Sequence, residues 1–238
     1  MSLPPPLPGK LRLASWNVRK CFGLDWRRDP ERVARGIARL GADVVTLQEA
    51  DWRLGPRHSA IPPHAIRELA GMEPLPAGKG TSLGHHGNAM LVRERVEVAS
   101  VAPFDLMGIG RGGILAELSV REVPFRLVGT HFSLVRRTRL SQQVEIVKRL
   151  SALEPRPVAI MGDFNEFSRT AGFAPFRVSK FDVREVGNSF HTTYPWAPLD
   201  RFVLKGLHMI RGGVAKGPEF GRASDHLPIW ADIAWPPG

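Results

Sequence analysis

Six short stretches each set a polar or acidic residue at one end of an apolar, strand-like run. They read Ser15-Trp16-Asn17, Leu47-Gln48-Glu49, Gly129-Thr130-His131, Gly162-Asp163-Phe164-Asn165, Leu199-Asp200-Arg201-Phe202 and Ser224-Asp225-His226-Leu227-Pro228. A strand end is where a sheet can present side chains to a cleft without burying their charge. In the first four stretches the polar residue follows the run; in the last two it precedes one. If those last two strands run antiparallel to the others, all six ends meet on one rim. The rim then holds Glu49, Asp163, Asp200 and Asp225 with two histidines and two asparagines. Carboxylates crowded in this way repel one another, and a hard divalent cation is the economical compensation.

The surrounding pattern is that of a mixed α/β chain. Strand-like runs fall at Leu11–Trp16, Asp43–Leu47, Asn88–Val92, Ile114–Val120, Phe125–Gly129, Val158–Met161, Arg201–Leu204 and Leu227–Ile233. Asp29-Pro30 supplies an N-cap and a first-turn proline, Val33, Ile37 and Leu40 form an apolar stripe, and Gly41 stops the helix. Arg32, Arg35 and Arg39 fall on the other, solvated face. A second helix is expected over Thr138–Leu153 with Leu140, Val144, Val147, Ile146 and Leu150 inward, and a shorter one over Pro63–Ala70. Several neighbouring strands are joined by short turns, so a purely parallel doubly wound sheet fits poorly. No internal repeat or linker interrupts the chain. Residues 1–9 read as a proline-rich, frayed leader and 10–238 as one domain.

Composition bounds the setting. Hydrophobic residues make up 43% of the chain, enough for a packed core. The lone Cys21 excludes an intrachain disulfide and suits a reducing compartment. The N-terminus lacks the apolar core of a signal peptide, and no window reaches the ~18 apolar residues of a membrane span. A cytoplasmic monomer is the expectation. The net charge of +10 suits polyanions such as nucleic acid or an anionic lipid surface. Arginine heavily outnumbers lysine, however, as it also does when a coding sequence is GC-rich. Charge alone does not name the substrate.

The six stretches, in this order, resemble the endonuclease/exonuclease/phosphatase superfamily, from about Leu11 to Trp230. The resemblance implies a four-layer sandwich, in which two mixed, mainly antiparallel β-sheets are flanked by helices. It implies Mg²⁺ or Mn²⁺ held by Glu49, with Asn17 and Asp225 completing the inner or water-mediated shell. Asp163 would orient or deprotonate the attacking water, and Asn165 would hydrogen-bond a phosphate oxygen. From the residues themselves, Asp163 and Asn165 are two apart and share a face if the chain is extended, and Gly162 admits a close backbone approach. Gly-Asp-Phe-Asn also has the composition of a turn. His226 would contact phosphate or act as general base, oriented by Asp200 through its other ring nitrogen. His131 would stabilise the phosphorane or protonate the leaving oxygen. The stretch where the family's supporting acid for His131 is sought reads His85-His86-Gly87-Asn88, without an acid. Three further substrate contacts carry equally plain alternatives. Arg111, opening a strand, contacts substrate or belongs to a plain turn; Arg136, Arg137 and Arg139 bind phosphate or stay solvated; and Trp196 stacks on a base or packs.

The chain therefore reads as a Mg²⁺- or Mn²⁺-dependent phosphoester hydrolase, foremost a phosphodiesterase acting on nucleic acid as an endo- or exonuclease. A phosphodiesterase or phosphatase for a phospholipid headgroup, nucleotide or inositol phosphate is the rival, favoured by the short chain and by His131. A non-catalytic nucleic-acid or protein-binding module is the third reading, opposed by the presence of every principal motif residue.

Overall fold

The computed structural model describes residues 3–52 and 57–235. Two six-stranded sheets form its frame. The first contains β1 (Leu11–Asn17), β2 (Val44–Gln48), β3 (Glu73–Pro74), β4 (Ala89–Val92), β11 (His208–Val214) and β12 (Ile229–Ala234), ordered β11-β12-β1-β2-β4-β3. The second contains β5 (Glu97–Asp105), β6 (Gly112–Val120), β7 (Val123–His131), β8 (Val158–Asp163), β9 (Asp182–Arg184) and β10 (Asp200–Lys205), ordered β5-β6-β7-β8-β10-β9. Each sheet is parallel at one central pair, β1 with β2 and β7 with β8, and antiparallel elsewhere. The helices are α1 (Pro30–Leu40), α2 (Pro63–Ala65, continuing as a π-helical turn over Ile66–Ala70), α3 (Arg136–Ser151) and α4 (Ala174–Val178).

The period of two along the central strands builds the layers. On β1, Leu11 and Leu13 enter the layer between the sheets, while Ala14 and Trp16 enter the layer under α1. On β8, Ala159 and Met161 face the other sheet, while Val158 and Ile160 face α3 and α4. Each fully buried Leu, Ile or Val contributes about 1.5–3 kcal/mol, so these three layers hold the elements more firmly than local propensity does. The result is the expected helix–sheet–sheet–helix sandwich. At its centre the sheets approach closely: a Cβ on Gly129 would lie 2.8 Å from Thr46 Cγ2.

Local signals explain α1. Asp29 accepts a hydrogen bond from the Arg32 N–H at 2.8 Å, Pro30 occupies the first turn, and Gly41 ends the helix with φ +60°. The expectation for α3 holds at Ile146, against which core Val147 and Leu150 also pack, and needs correction at Val144 and in what else is buried. Val144 is 54% exposed, Leu140, Val147 and Leu150 are half-buried, and the buried face carries Arg139, Gln142, Gln143 and Ile146. Polar contacts to loops select that face. Gln142 accepts from the Ser133 N–H and donates to Met107 O, Gln143 donates to Gly172 O, and Arg139 pairs with Glu166 at 2.8 Å. An apolar periodicity cannot anticipate partners that lie in loops.

Strands β3, β5, β9 and β11 are additions to the sequence reading. All four flank their sheets, β3 being two residues long and β5 largely exposed, so none announces itself by an apolar run. Ahead of β1, Pro4 O and Pro5 O accept hydrogen bonds from Arg12 at 2.8 and 3.1 Å. No helix among the described residues is long and apolar enough to cross a membrane.

Candidate active site

Opposite strand directions gather the six stretches on one rim. Strand β10 runs antiparallel to β8 and β12 antiparallel to β1, so the starts of β10 and β12 lie beside the ends of β1, β2, β7 and β8. The register is direct in the second sheet: His131 pairs with Asp163, and Asp163 with Asp200. Gly162 makes this neighbourhood possible, since a Cβ there would sit 1.8 Å from Thr130 O. Asn17 bridges the two sheets by donating from Nδ2 to Asp163 Oδ2 at 3.0 Å. Within the first sheet, Ser224 Oγ donates to Asn17 O and Trp16 Nε1 to His226 O, fixing the segment before β12 against the end of β1.

Around that bridge, three nitrogens converge on Asp163 Oδ2: Asn17 Nδ2 at 3.0 Å, His131 Nε2 at 3.4 Å and His226 Nε2 at 3.7 Å. Asp163 Oδ1 accepts from the Asn165 N–H at 2.9 Å. His226 turns Nδ1 to Asp200 Oδ2 at 2.9 Å, and Ser189 Oγ donates to that same oxygen at 2.5 Å. The second oxygen of Asp200 is buried without a hydrogen bond. Burial alone would push the His226 imidazolium down. Asp200, then Asp163, then the hydrogen bond and Asp225 outweigh it and hold the pKa up at about 10.

The acids at the cleft edge meet cations of the chain. Lys20 Nζ pairs with Glu49 Oε2, and Arg19 Nε lies 3.7 Å from Asp225 Oδ2. Both cations belong to the turn after β1, where Arg19, Lys20 and Cys21 take φ values of +45°, +53° and +66°. Glu49 at +53° and Asn165 at +49° are also left-handed. Such backbone costs on the order of 1–3 kcal/mol per residue, and its concentration at one rim marks a place where side-chain direction outweighs backbone ease. Asn165 corrects the shared-face expectation. Strand β8 ends at Asp163, and the left-handed turn instead sends Asn165 Nδ2 to Phe132 O at 2.9 Å.

The remaining expected residues separate. Arg111 immediately precedes β6, donates to His131 O at 3.5 Å, and lines a cavity of about 260 Å³ with Glu49, Arg57, His86 and His131. Arg136 and Arg137 are exposed on the first turn of α3 and make no hydrogen bond to the cluster, whereas Arg139 is buried against Glu166. Trp196 is half-exposed and stacks on Phe167 at 5.4 Å; Phe190 lies between Trp196 and the His226 ring, 5.0 Å from the latter. The acid beside His85 and His86 is Asp105, from the far end of β5. Sequence reasoning missed Ser189, Lys20 and Asp105. The first lies in an irregular stretch, and the other two acquire meaning only through partners distant along the chain.

Comparison with known proteins agrees with this fold. The Endonuclease/Exonuclease/phosphatase family profile matches residues 14–226. Among solved structures, an endonuclease/exonuclease/phosphatase from Bacteroides vulgatus superposes with a TM-score of 0.75 at 18% identity, covering 95% of this chain and 99% of that one. A mannosyl-6-phosphatase from Bacteroides thetaiotaomicron gives 0.72 at 18% identity, with 94% and 100% covered. TDP2 from D. rerio, complexed with a single-strand DNA product, gives 0.69 at 19% identity, with 95% and 99% covered. No curated protein matches by sequence.

Proposed function

Since the chain belongs to the endonuclease/exonuclease/phosphatase family, a family of hydrolytic phosphoesterases, we propose that it is a divalent-metal-dependent phosphodiesterase acting on nucleic acid. The observation that carries the reading is the convergence of Asn17, His131 and His226 nitrogens on one Asp163 oxygen. Donors that meet at one anionic oxygen can equally receive the oxygens of a phosphoryl group.

The donor set at the edge of the cleft fits Mg²⁺ or Mn²⁺. Glu49 and Asp225 supply carboxylate oxygens, and Asn17 Oδ1 keeps a free lone pair after accepting from the Arg19 N–H at 3.1 Å. Lys20 and Arg19 lying on the two carboxylates show how concentrated the negative charge is there. When bound, the ion would offset charge on the phosphoryl and leaving oxygens. Asp163 would hold the attacking water and accept its proton. Asp200 and Ser189 fix the His226 ring, which presents Nε2 to a non-bridging oxygen, while His131 reaches the same position from β7 and donates to the phosphorane or the leaving oxygen. Asn165 and Arg111 would contact phosphate oxygens. Trp196 on its Phe167 neighbour offers a face for a base. Arg136 and Arg137, exposed on the first turn of α3 shortly after His131 in the chain, would meet the polyanion further out.

A second reading, hydrolysis of a small phosphoester such as a nucleotide, an inositol phosphate or a phospholipid headgroup, draws on the compact cavity of about 260 Å³ beside Glu49. One experiment separates the two. Wild type and Glu49→Ala are assayed with Mg²⁺, Mn²⁺ or EDTA on plasmid and single-stranded DNA, RNA, abasic duplex, anionic phospholipid, inositol phosphates and a chromogenic diester. Nucleic-acid cleavage that requires both the ion and Glu49, and whose substrate affinity falls steeply with salt, is the expected result. Turnover of small esters with nucleic acid left intact establishes the second reading. Wild-type rates in Glu49→Ala or Asp163→Asn would remove the proposed centre altogether, since one lost electrostatic contact should cost about 10²–10³ in rate.

A further inference from the structure

We propose that His85, His86 and Asp105 form a second metal site, for a transition-metal ion of the Zn²⁺ class, joined through His86 to the cavity beside the carboxylate centre. Its chemistry differs from that of the all-oxygen set at Glu49. Two imidazoles and one carboxylate suit Zn²⁺, Ni²⁺ or Cu²⁺ better than Mg²⁺.

The geometry is already that of a ligand set. Both Nε2 atoms face the same Asp105 Oδ1, at 2.9 Å from His85 and 2.8 Å from His86, and one ligand atom from each residue lies within 4.8 Å of the others. Donors about 2.0–2.2 Å from Zn²⁺, set at right angles to tetrahedral angles, are themselves ~2.9–3.5 Å apart. The carboxylate is therefore placed at nearly ligand-to-ligand spacing from each ring.

The backbone arranges the pair. Adjacent residues in an extended chain point to opposite faces, yet the His85 and His86 rings lie 4.2 Å apart. A tight turn accounts for it: His85 bridges to Asn88, while His86 and Gly87 between them take φ +51° and +81°. The floor beneath the rings is Gly112, where a Cβ would stand 2.9 Å from His85 Cδ2 and 3.0 Å from His86 Cδ2. Asp105 is the last residue of β5, so the ligands come from two segments packed over the start of β6. Arg57 contacts His86 Nδ1. An imidazole bound through Nε2 carries its proton on Nδ1, so ion binding must displace that guanidinium. His86 and Arg57 both line the cavity that contains Glu49 and His131, and the ion would be sensed there.

The test is calorimetric titration of the whole chain with Zn²⁺ in excess Mg²⁺, repeated with Co²⁺ and read by its visible absorption. The expected result is one ion per chain in wild type and in Glu49→Ala. Affinity should fall at least about tenfold in His85→Ala and in His86→Ala, and the Co²⁺ band should be lost. Asp105→Asn, at a largely exposed carboxylate, serves as the third variant and carries the test if a histidine variant fails to fold. Unchanged affinity in the folded variants, loss of the ion in Glu49→Ala, or no uptake by wild type at micromolar Zn²⁺ would each overturn the assignment.

Discussion

At the scale of single residues, His226 concentrates the chemistry of the rim. Its ring is buried, its Nδ1 is engaged by Asp200, and its Nε2 looks toward Asp163. Asp200 heads the groups that hold its pKa up at about 10 against burial. Asp200→Asn keeps the shape but removes that charge. The His226 pKa, followed by NMR in EDTA, should drop toward the ordinary value near 6.5, and the rate should fall about 10–100-fold. A pKa left near its wild-type position would refute the role given to Asp200. Much of this cluster is legible in the sequence, because Asp163, Asp200, Asp225 and His226 each stand at the edge of an apolar run. Ser189 is not, because its oxygen finds Asp200 across a stretch with no periodicity.

At the scale of elements, the site depends on the close pairing of β7 with β8. Thr130 lies opposite Gly162 in the parallel register, one step from the His131–Asp163 pair. A Cβ at Gly162 meets Thr130 O at 1.8 Å, and backbone cannot yield as a flexible side chain can. Gly162→Ala should therefore cost about 1–3 kcal/mol or more, seen as a lower urea midpoint, and should depress turnover by separating His131 from Asp163. Wild-type stability and rate together would show that the strands can part without consequence. Helix α3 teaches the converse lesson. Its inward face combines Ile146, Val147 and Leu150 with Arg139, Gln142 and Gln143 bonded to loops, so the apolar pattern misleads at Val144 and says nothing of the polar half.

At the scale of the whole molecule, the first strand and the last two are tied together through Asp232. This buried carboxylate on β12 receives Arg12 from β1 at 2.7 Å and Arg211 from β11 at 2.7 Å, while Arg12 also reaches back to Pro4 and Pro5. Burial pushes the Asp232 carboxyl up, and the two guanidiniums outweigh it and hold it below its ordinary value. A carboxyl lowered by folding lends stability above its unfolded pKa near 3.9, and that contribution is lost as pH falls through the folded value. Asp232→Asn should thus lose about 3–5 kcal/mol at neutral pH, with the gap to wild type narrowing below about pH 4. Urea melts at pH 7 and pH 3 check it, and a gap that does not narrow would contradict the pairing. The same scale governs the proposed second metal site. Asp105 reaches the histidines only because β5 and the turn before β4 pack over one stretch of β6.

The sequence by itself determined the elements whose signals are local. These are the buried central strands, with their period of two and polar ends, and α1 between its Asp29 cap and Gly41 stop. It also determined the family, through the order of the six stretches. Tertiary structure alone decided that α3 buries Arg139, Gln142 and Gln143 beside its apolar residues and how the edge strands pair. It also decided that Asn165 leaves the strand plane, that Arg12 reaches back to Pro4 and Pro5, and that Asp105 is the acid beside His85 and His86. The division has one physical cause. Apolar burial repeats with the backbone and so leaves a periodic trace in the chain. A hydrogen bond or ion pair between distant residues is a matter of two directions meeting in space, and it leaves none.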